Sequence, residues 1–317
     1  METVSIIPAG KVVYGIQLPI QSQSTMYCEE WEASSGAAEL ARIAKQADQS
    51  GFFYIAVCDH TFIPERLAQA MGTTWYDTIA TLGWLAGITS EVRLMSHVYI
   101  ATLRHPLRAA KEFATLDLLS GGRLIIGVGA GHVLEEFEIL GPEFLDRGKA
   151  LDESIDGIAA ALVDEFPVLA GPRWPTAGLG ISPRPVQSPR PPIWVGGSTR
   201  PALRRAATRG DGWLPQTAKR GELKEQVAEL LAFRNELAEG APIAIGALAG
   251  AFHVGESSWE LPRGTVSGSA EKIAENLAEL TALGCSHLQL RFPSRSAEEL
   301  CDQMAAFGQL VGPLLGS

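Results

Sequence analysis

Three histidines and one aspartate of this 317-residue chain stand at or near the ends of predicted strands. Asp59 and His60 directly follow one apolar segment. His97 lies toward the end of a second apolar segment, and His132 follows a third. An imidazole can donate or accept a proton near neutral pH because its ordinary pKa is about 6.5. Since parallel strands bring their carboxyl ends to one side of a sheet or barrel, these four side chains predict a site for acid–base chemistry.

The same four residues also allow simpler interpretations. Asp59 could cap the segment that follows it, because aspartate favours turns. His60 and His97 could be hydrogen-bonded core residues. All four side chains are also ligand types for zinc or iron, which leaves a barrel metallohydrolase open, although the close H-x-H pairing of such sites is missing. The remaining histidines are predicted to be structural: His105, His253 and His287.

Two glycine-rich turns follow predicted strands. Gly196, Gly197 and Ser198 stand between a strand and a helix, so their N–H groups would face an anion such as a phosphate. A tight strand-to-helix turn is the alternative. The run GVGAG, which contains Gly129 and Gly131, lacks the third glycine of a dinucleotide fingerprint but would let a flat ring approach the backbone. Further polar side chains follow other predicted strands: Gln17, Gln216, Thr217 and Arg291.

The elements that carry these residues alternate between strands and helices. In the clearest unit, residues 93–100 form an apolar strand, His105-Pro106 begins a helix, and residues 124–128 form a continuous apolar run typical of a strand covered on both faces. Eight strand candidates, each followed by a helix candidate, occur along the chain. This alternation predicts a parallel sheet, and eight units predict an α/β fold closed into a (β/α)8 TIM barrel.

The barrel is predicted to be a single domain over residues 1–317 with two long insertions. The first covers about 132–150, an acidic segment that leads to a predicted helix at 151–163. The second covers about 164–192, where proline and glycine are so frequent that no helix or strand of ordinary length is expected. Loops of this length inside a compact domain are usually functional.

Composition limits the class of protein. A net charge of −10 argues against a nucleic-acid partner, because phosphate affinity needs a basic surface. No run of about 18 apolar residues occurs, so no membrane span is expected, and the first residues show no signal-peptide pattern. The four cysteines are scattered, which indicates neither a disulfide framework nor a zinc knuckle. These features predict a cytoplasmic enzyme that acts on a small molecule.

Several motifs carry a resemblance to a known family. They are the Asp59-His60 strand end, LRHPLRAAKEFATLDLLSGGRLIIGVGAG at 103–131, ALDESIDGI at 150–158, RPVQSPRPPIWVGGST at 184–199 and DGWLP at 211–215. With these motifs the chain resembles the bacterial luciferase-like monooxygenase superfamily, and within it the oxidoreductases that use the deazaflavin coenzyme F420. The match runs through nearly the whole chain.

The resemblance implies a luciferase-like barrel with an insertion after or near strand seven. It implies a non-proline cis peptide at His97–Val98 that forms a bulge in strand three behind the deazaflavin ring. His60 would lie close to the reactive face of the ring, and Gly196 and Gly197 would hold the cofactor phosphate. Family members commonly form homodimers. Four apolar residues are candidates for that interface, although most of them could equally belong to the core of one protomer: Leu82, Trp84, Leu85 and Phe113.

The leading functional hypothesis is an F420-dependent oxidoreductase that moves a hydride between C5 of the deazaflavin and a small organic substrate. His60 is expected to donate or accept the proton, paired with Asp59 or a nearby group, while His132 and Gln17 contact substrate or ring. A sugar-phosphate dehydrogenase of the group carries an acid where this sequence has His132. The alternatives are an FMN-dependent monooxygenase of the same superfamily and a cofactor carrier without turnover.

Overall fold

The computed structural model describes residues 3–24, 27–216 and 219–315. Within these ranges strands alternate with helices, as the sequence predicts. The strands are β1 (Val13–Gln17), β2 (Tyr54–Val57), β3 (Arg93–Ser96), β4 (Tyr99–Ile100), β5 (Leu124–Gly129), β6 (Ile193–Gly196), β7 (Gly212–Leu214), β8 (Ala244–Val254), β9 (Val266–Gly268) and β10 (His287–Arg291). The α-helices are α1 (Ala37–Gln49), α2 (Glu65–Met71), α3 (Thr78–Ala86), α4 (Pro106–Leu119), α5 (Leu134–Leu140), α6 (Arg147–Val163), α7 (Arg200–Arg209), α8 (Arg220–Ala238), α9 (Ala270–Thr281) and α10 (Ala297–Ala306).

The strands close into the predicted TIM barrel. Parallel pairing runs in the order β10, β1, β2, β3, β5, β6, β7 and β8, and β8 pairs with β10 to complete the ring. β4 continues the line of β3 and pairs with β5, whereas β9 pairs only with the far end of β8. The carboxyl ends of all eight barrel strands therefore open on one face, which is where barrel enzymes carry their active sites.

Two apolar layers stabilise this arrangement. Inside the barrel, large side chains such as Tyr54, Met95 and Trp194 fill the space between strands. The Trp194 ring stacks on the His287 imidazole with centroids 4.2 Å apart. The outer layer lies between strands and helices and includes the buried faces of α1 and α4. The interior of the barrel is thus filled by side chains, as in other barrels of this class.

The third barrel strand is irregular at the predicted position. Met95 pairs with Ile125 and Tyr99 pairs with Val128, so β3–β4 uses one residue more than β5 between these pairs. The extra residue is a β-bulge, and the His97–Val98 peptide bond within it is cis. Both features that the resemblance implied for this strand are confirmed.

Ser96 and Gly127 bridge the break in the strand ladder. The Ser96 hydroxyl donates to the Gly127 carbonyl (2.8 Å) and accepts from the Gly127 N–H (3.0 Å). These two hydrogen bonds satisfy backbone groups that the bulge takes out of register. A Cβ on Gly127 would clash with the Ser96 carbonyl oxygen, so only glycine fits here.

Gly127→Ala is therefore expected to destabilise the chain by about 1–3 kcal/mol, the usual cost of forcing extra volume into a packed site. Urea denaturation of the purified variant measures this free energy of unfolding. Gly83→Ala is the matched control, since a Cβ on Gly83 in α3 meets no atom within 4 Å and alanine favours a helix. Equal stability of the two variants would contradict the packing described for Gly127.

The segment between β5 and β6 differs from its prediction in part. Residues 132–150 contain helix α5, and α6 begins at Arg147 rather than at residue 151. The apolar spacing of α5 is hidden by its glutamates, which explains why this helix was missed. Residues 164–192 have no helix or strand beyond the isolated bridge between Leu169 and Thr176, as expected. The buried Asp117 carboxylate fixes the end of this loop by accepting from the backbone of residues 186 and 187.

The candidate dimer residues are mostly part of the protomer core. Leu82, Leu85 and Phe113 are fully buried between α3, α4 and the barrel. Only Trp84 of the four is exposed, with 40% of its surface accessible. Those three assignments are corrected to core residues, and the homodimer stays a prediction. No helix among the described residues is long and apolar enough to cross a membrane.

Candidate active site

His60 and Glu136 form a buried pair at the barrel mouth. His60 follows β2 and Glu136 lies in the first turn of α5. The His60 Nδ1 is 2.9 Å from the Glu136 Oε2, and the Thr61 N–H donates to Oε1 at 2.7 Å. Burial would raise the pKa of Glu136, but the hydrogen bonds from His60 and Thr61 outweigh burial and hold this pKa below its ordinary value. The carboxylate is therefore ionised and acts as an acceptor for the imidazole.

Asp59 has a different partner from His60. Its Oδ2 and Oδ1 accept from the Arg104 guanidinium at 2.5 and 2.9 Å, and Oδ2 also accepts from the Ile100 N–H. Asp59 thus ties the end of β2 to the end of β4. The sequence leaves two possible partners for His60, either Asp59 or another nearby group. In the structure the partner is another group, Glu136. The contacts of Asp59 are those of a structural residue, and its catalytic role stays a prediction.

Two further rings surround His60. The Trp75 ring meets it edge to face with centroids 4.6 Å apart, and the His132 ring does so at 5.2 Å. His132 lies on the exposed side of the pair, just after β5. Partial burial and the neighbouring His60 lower the pKa of His132, and Glu136 opposes this effect. The second imidazole is therefore mostly neutral at neutral pH and lies beside His60.

Gln17 and His97 form a second polar pair, at the ends of β1 and β3. The His97 Nδ1 is 3.3 Å from the Gln17 Oε1. Burial lowers the pKa of His97 to about 4. This imidazole is consequently neutral at neutral pH, and its contact with Gln17 is a hydrogen bond between uncharged groups.

Val98 connects the bulge to the two glycine turns. A Cβ on Gly129 or on Gly196 would clash with the Val98 side chain, so both glycines make room for it. Gly131 has a positive φ of 78°, and a Cβ there would meet Ile100 and Phe137. The predicted ring-binding glycines therefore fix the position of Val98 and the approach of α5.

Gly197 and Ser198 form the turn that leads into α7. The Gly197 carbonyl accepts from the Trp213 Nε1 at 2.7 Å, and the Ser198 Oγ accepts from the Gln216 N–H at 2.9 Å. Thr199, the N-cap residue of α7, makes no side-chain capping hydrogen bond, and the first turn of α7 has no acidic residue. This helix end suits an anion. The guanidinium of Arg200, the first residue of α7, pairs with the Glu229 carboxylate.

The other strand-end candidates are less informative. Arg291, the residue predicted at the end of strand eight, forms an ion pair with Glu29 at 2.8 Å. Gln216 contributes its backbone N–H to Ser198, and Thr217 lies outside the described residues. Among the residues that the structure describes, no group of three or more His, Cys, Asp or Glu side chains could hold a metal ion. The metallohydrolase alternative therefore lacks a donor set in this part of the chain.

Three residues of the site were missed from the sequence: Trp75, Arg104 and Glu136. Glu136 belongs to an acidic segment whose sequence shows charge and no helical spacing. Its place in the segment that follows β5 was the available signal, because segments after barrel strands lie at the barrel mouth. Trp75 and Arg104 gave no signal, since their partners lie 15 and 45 residues away.

The structure is a TIM barrel with a buried His60–Glu136 pair at the carboxyl ends of its strands. The sequence model of the luciferase-like monooxygenase family matches residues 14–264. The chain belongs to this family, and it is an oxidoreductase.

Similar proteins agree with this assignment. An F420-dependent glucose-6-phosphate dehydrogenase of Kribbella flavida is 32% identical over 196 residues, which are 59% of this chain and 56% of the relative. The F420-dependent tetrahydromethanopterin reductase of Methanopyrus kandleri superposes with a TM-score of 0.74 at 18% identity, covering 96% and 99% of the two chains. The monooxygenase RslO1 of Streptomyces bottropensis gives 0.76 at 21% identity, covering 95% and 99%. At these identities the two structures show the shared fold alone.

Proposed function

We propose that the chain is an F420-dependent oxidoreductase that moves a hydride between C5 of the deazaflavin and a small organic substrate. The observation that carries the proposal is the buried His60–Glu136 pair beside the bulge at His97–Val98. The pair supplies a proton donor or acceptor, and the bulge presents a small apolar side chain, Val98, near the mouth. The F420-dependent relative from Kribbella flavida supports the choice of cofactor.

The residues at the mouth fit such a cofactor. Val98, with Gly129 and Gly196 behind it, offers an apolar surface for a flat ring. The turn at Gly197 and Ser198 leads into the uncapped amino end of α7, a ten-residue helix that would receive a phosphate. Both groups lie at the carboxyl ends of β4, β5 and β6, which are neighbours in the barrel.

The residues of this chain would manage the proton and the orientation. When bound, F420 supplies the hydride acceptor or donor at C5. In the oxidation of an alcohol, the hydroxyl proton must leave as the hydride leaves the carbon, and His60 is the group expected to accept it. Glu136 stabilises the imidazolium that results, and His132 lies in ring contact with His60. The neutral Gln17–His97 pair adds hydrogen-bonding groups without adding charge.

An FMN-dependent monooxygenase is the second candidate, because the matching family is defined by luciferase-like monooxygenases. The same apolar surface and helix end would accept FMN. The two candidates differ in the ring that binds and in the need for oxygen.

Titration of the purified chain with F420 and, separately, with FMN tests the proposal. We expect F420 to bind with a micromolar Kd, seen as quenching of its fluorescence, and FMN to bind at least tenfold more weakly. Tight FMN binding without F420 binding would replace the proposal with the monooxygenase.

Ser198→Asp tests the phosphate turn in the same titration. A carboxylate at this helix end should weaken F420 binding at least tenfold, because it repels the phosphate that the turn would hold. Ser5→Asp is the matched control. It makes the same charge change on an exposed residue at the opposite end of the barrel. The neighbouring Val4 N–H donates to Asp211, which directly precedes β7.

A further inference from the structure

The Glu136 carboxylate receives donors from two directions and has no exposed surface. His60 Nδ1 approaches Oε2 at 2.9 Å and the Thr61 N–H approaches Oε1 at 2.7 Å. The Glu136 side chain is 0% exposed and the His60 side chain is 6% exposed. A buried carboxylate is costly unless donors satisfy it, so this pair is held in one arrangement.

A carboxylate can only accept hydrogen bonds, and this fixes the chemistry of the imidazole. The proton of neutral His60 must lie on Nδ1, where Glu136 accepts it. Nε2 then carries the lone pair. Within the described residues no hydrogen bond engages Nε2, and the rings nearest to His60 are those of Trp75 and His132.

We propose that Glu136 is a positioning residue: it holds His60 in the Nδ1–H tautomer, so that Nε2 is the atom that accepts or returns the substrate proton. The transfer of a substrate proton rests on the proposed function, whereas the tautomer of His60 rests on the geometry of the pair alone. In the oxidation of an alcohol, Nε2 would accept the hydroxyl proton while the substrate carbon gives up a hydride. F420, when bound, would supply the two-electron acceptor, so charge and electrons balance.

Helix α5 is fixed in the position that this role requires. Gly131 adopts a positive φ, and its missing side chain lets α5 approach Ile100. Phe137 packs in a cluster with Ile100 and Leu103. One residue before Glu136, the Glu135 carboxylate pairs with the Arg66 guanidinium of α2 at 2.6 and 2.8 Å. The imidazole is therefore held by a helix that is itself anchored on two sides.

The charged neighbours of the pair are few and mostly neutralised. Glu135 is paired with Arg66, and Asp59, adjacent to His60, is paired with Arg104. His132 faces His60 from the end of β5. A purely structural role for Glu136 would be to anchor the backbone at Thr61. That role predicts a loss of stability on substitution and no change in the tautomer of His60.

Glu136→Gln separates the two roles. The glutamine is isosteric and can still accept from the Thr61 N–H, but its amide can present N–H groups to Nδ1 and so favours the Nε2–H tautomer. Proton-coupled 15N NMR of histidine-labelled protein reads the tautomer directly. We expect Nδ1 to be protonated in the parent chain, and Nε2 to be protonated in Glu136→Gln.

Turnover is followed by the absorbance of F420 with a panel of secondary alcohols, aldehydes and enones. With the best substrate of the panel, kcat of Glu136→Gln should be roughly 10²–10⁴-fold lower than that of the parent chain. KM and the Kd of F420 should stay within about threefold of the parent values. Glu138→Gln is the matched control on the same helix. It makes the same change at an exposed carboxylate of α5, so kcat should change less than about twofold.

Two results would overturn the role of Glu136: a parent chain with the proton on Nε2, or an unchanged tautomer in Glu136→Gln. If the parent chain binds no F420, the proposed function fails, but the NMR measurement still decides whether Glu136 sets the tautomer. The two failures are therefore distinguishable.

Discussion

Replacing His60 with alanine is expected to lower kcat by about 10²–10⁴-fold while the Kd of F420 stays within about threefold. The loss follows because no other imidazole has a buried carboxylate behind it among the described residues. His132 is exposed and its pKa is lowered, and His97 is neutral and bound to Gln17. Steady-state rates with the alcohol, aldehyde and enone panel, together with fluorescence titration of F420, measure the two quantities separately.

His60→Asn is the sharper companion to the alanine variant. The asparagine amide nitrogen can take the place of Nδ1 and donate to Glu136, so the buried carboxylate keeps a donor while Nε2 is lost. We expect its kcat to fall as far as that of His60→Ala, but with a free energy of unfolding closer to the parent chain. His105→Ala serves as the control at the start of α4, where the imidazole accepts from the Leu107 N–H and contacts the Trp174 ring, away from His60 in the chain. Unchanged turnover in His60→Asn would show that a group other than His60 moves the proton. F420 binding by the parent chain without turnover of any panel substrate would favour a cofactor carrier over an enzyme.

Much of the barrel could be predicted because its signals are local. Each strand is a short apolar run and each helix has its own spacing and boundary residues, such as Asp77 before α3 and Ser269 before α9. Closure of eight units then follows from their number. Helix α5 was missed because its burial depends on Gly131 and Phe137, which meet residues of the preceding turn. That information is tertiary and has no periodic signature in seven residues.

The sequence predicts which residues lie at the strand ends of the candidate site, but it does not predict which side chains pair with one another. The positions of His60, His97 and His132 follow from the barrel, since all three residues come at the ends of parallel strands. Which carboxylate contacts His60 does not follow, because Asp59 is adjacent in sequence yet alternation of side chains along an extended segment sends neighbours to opposite sides. Asp59 therefore meets Arg104, and Glu136 reaches His60 from 76 residues away.

Acid is expected to destabilise this fold through His287, which was predicted to be structural. Its ring is 1% exposed, stacks on Trp194 and has Nε2 3.2 Å from the Trp213 carbonyl. Burial lowers the pKa of His287 to about 3, although the Trp213 carbonyl opposes this effect. In the unfolded chain the pKa is near 6.5, so between these values the unfolded state binds more protons. Stability is therefore complete above about pH 6.5 and falls with the pH, by about 3 kcal/mol at pH 4.

His287→Phe isolates this contribution. Phenylalanine keeps a ring against Trp194 but cannot be protonated, so the free energy of unfolding should fall less steeply between pH 6.5 and pH 4 than in the parent chain. Urea denaturation at several pH values in this window gives both slopes. His97, with a pKa of about 4, acts in the same direction and remains in both proteins. His105→Gln, which replaces an exposed imidazole at the start of α4, is the control. Equal slopes in the parent chain and in His287→Phe would show that the burial of His287 does not cause the loss of stability in acid.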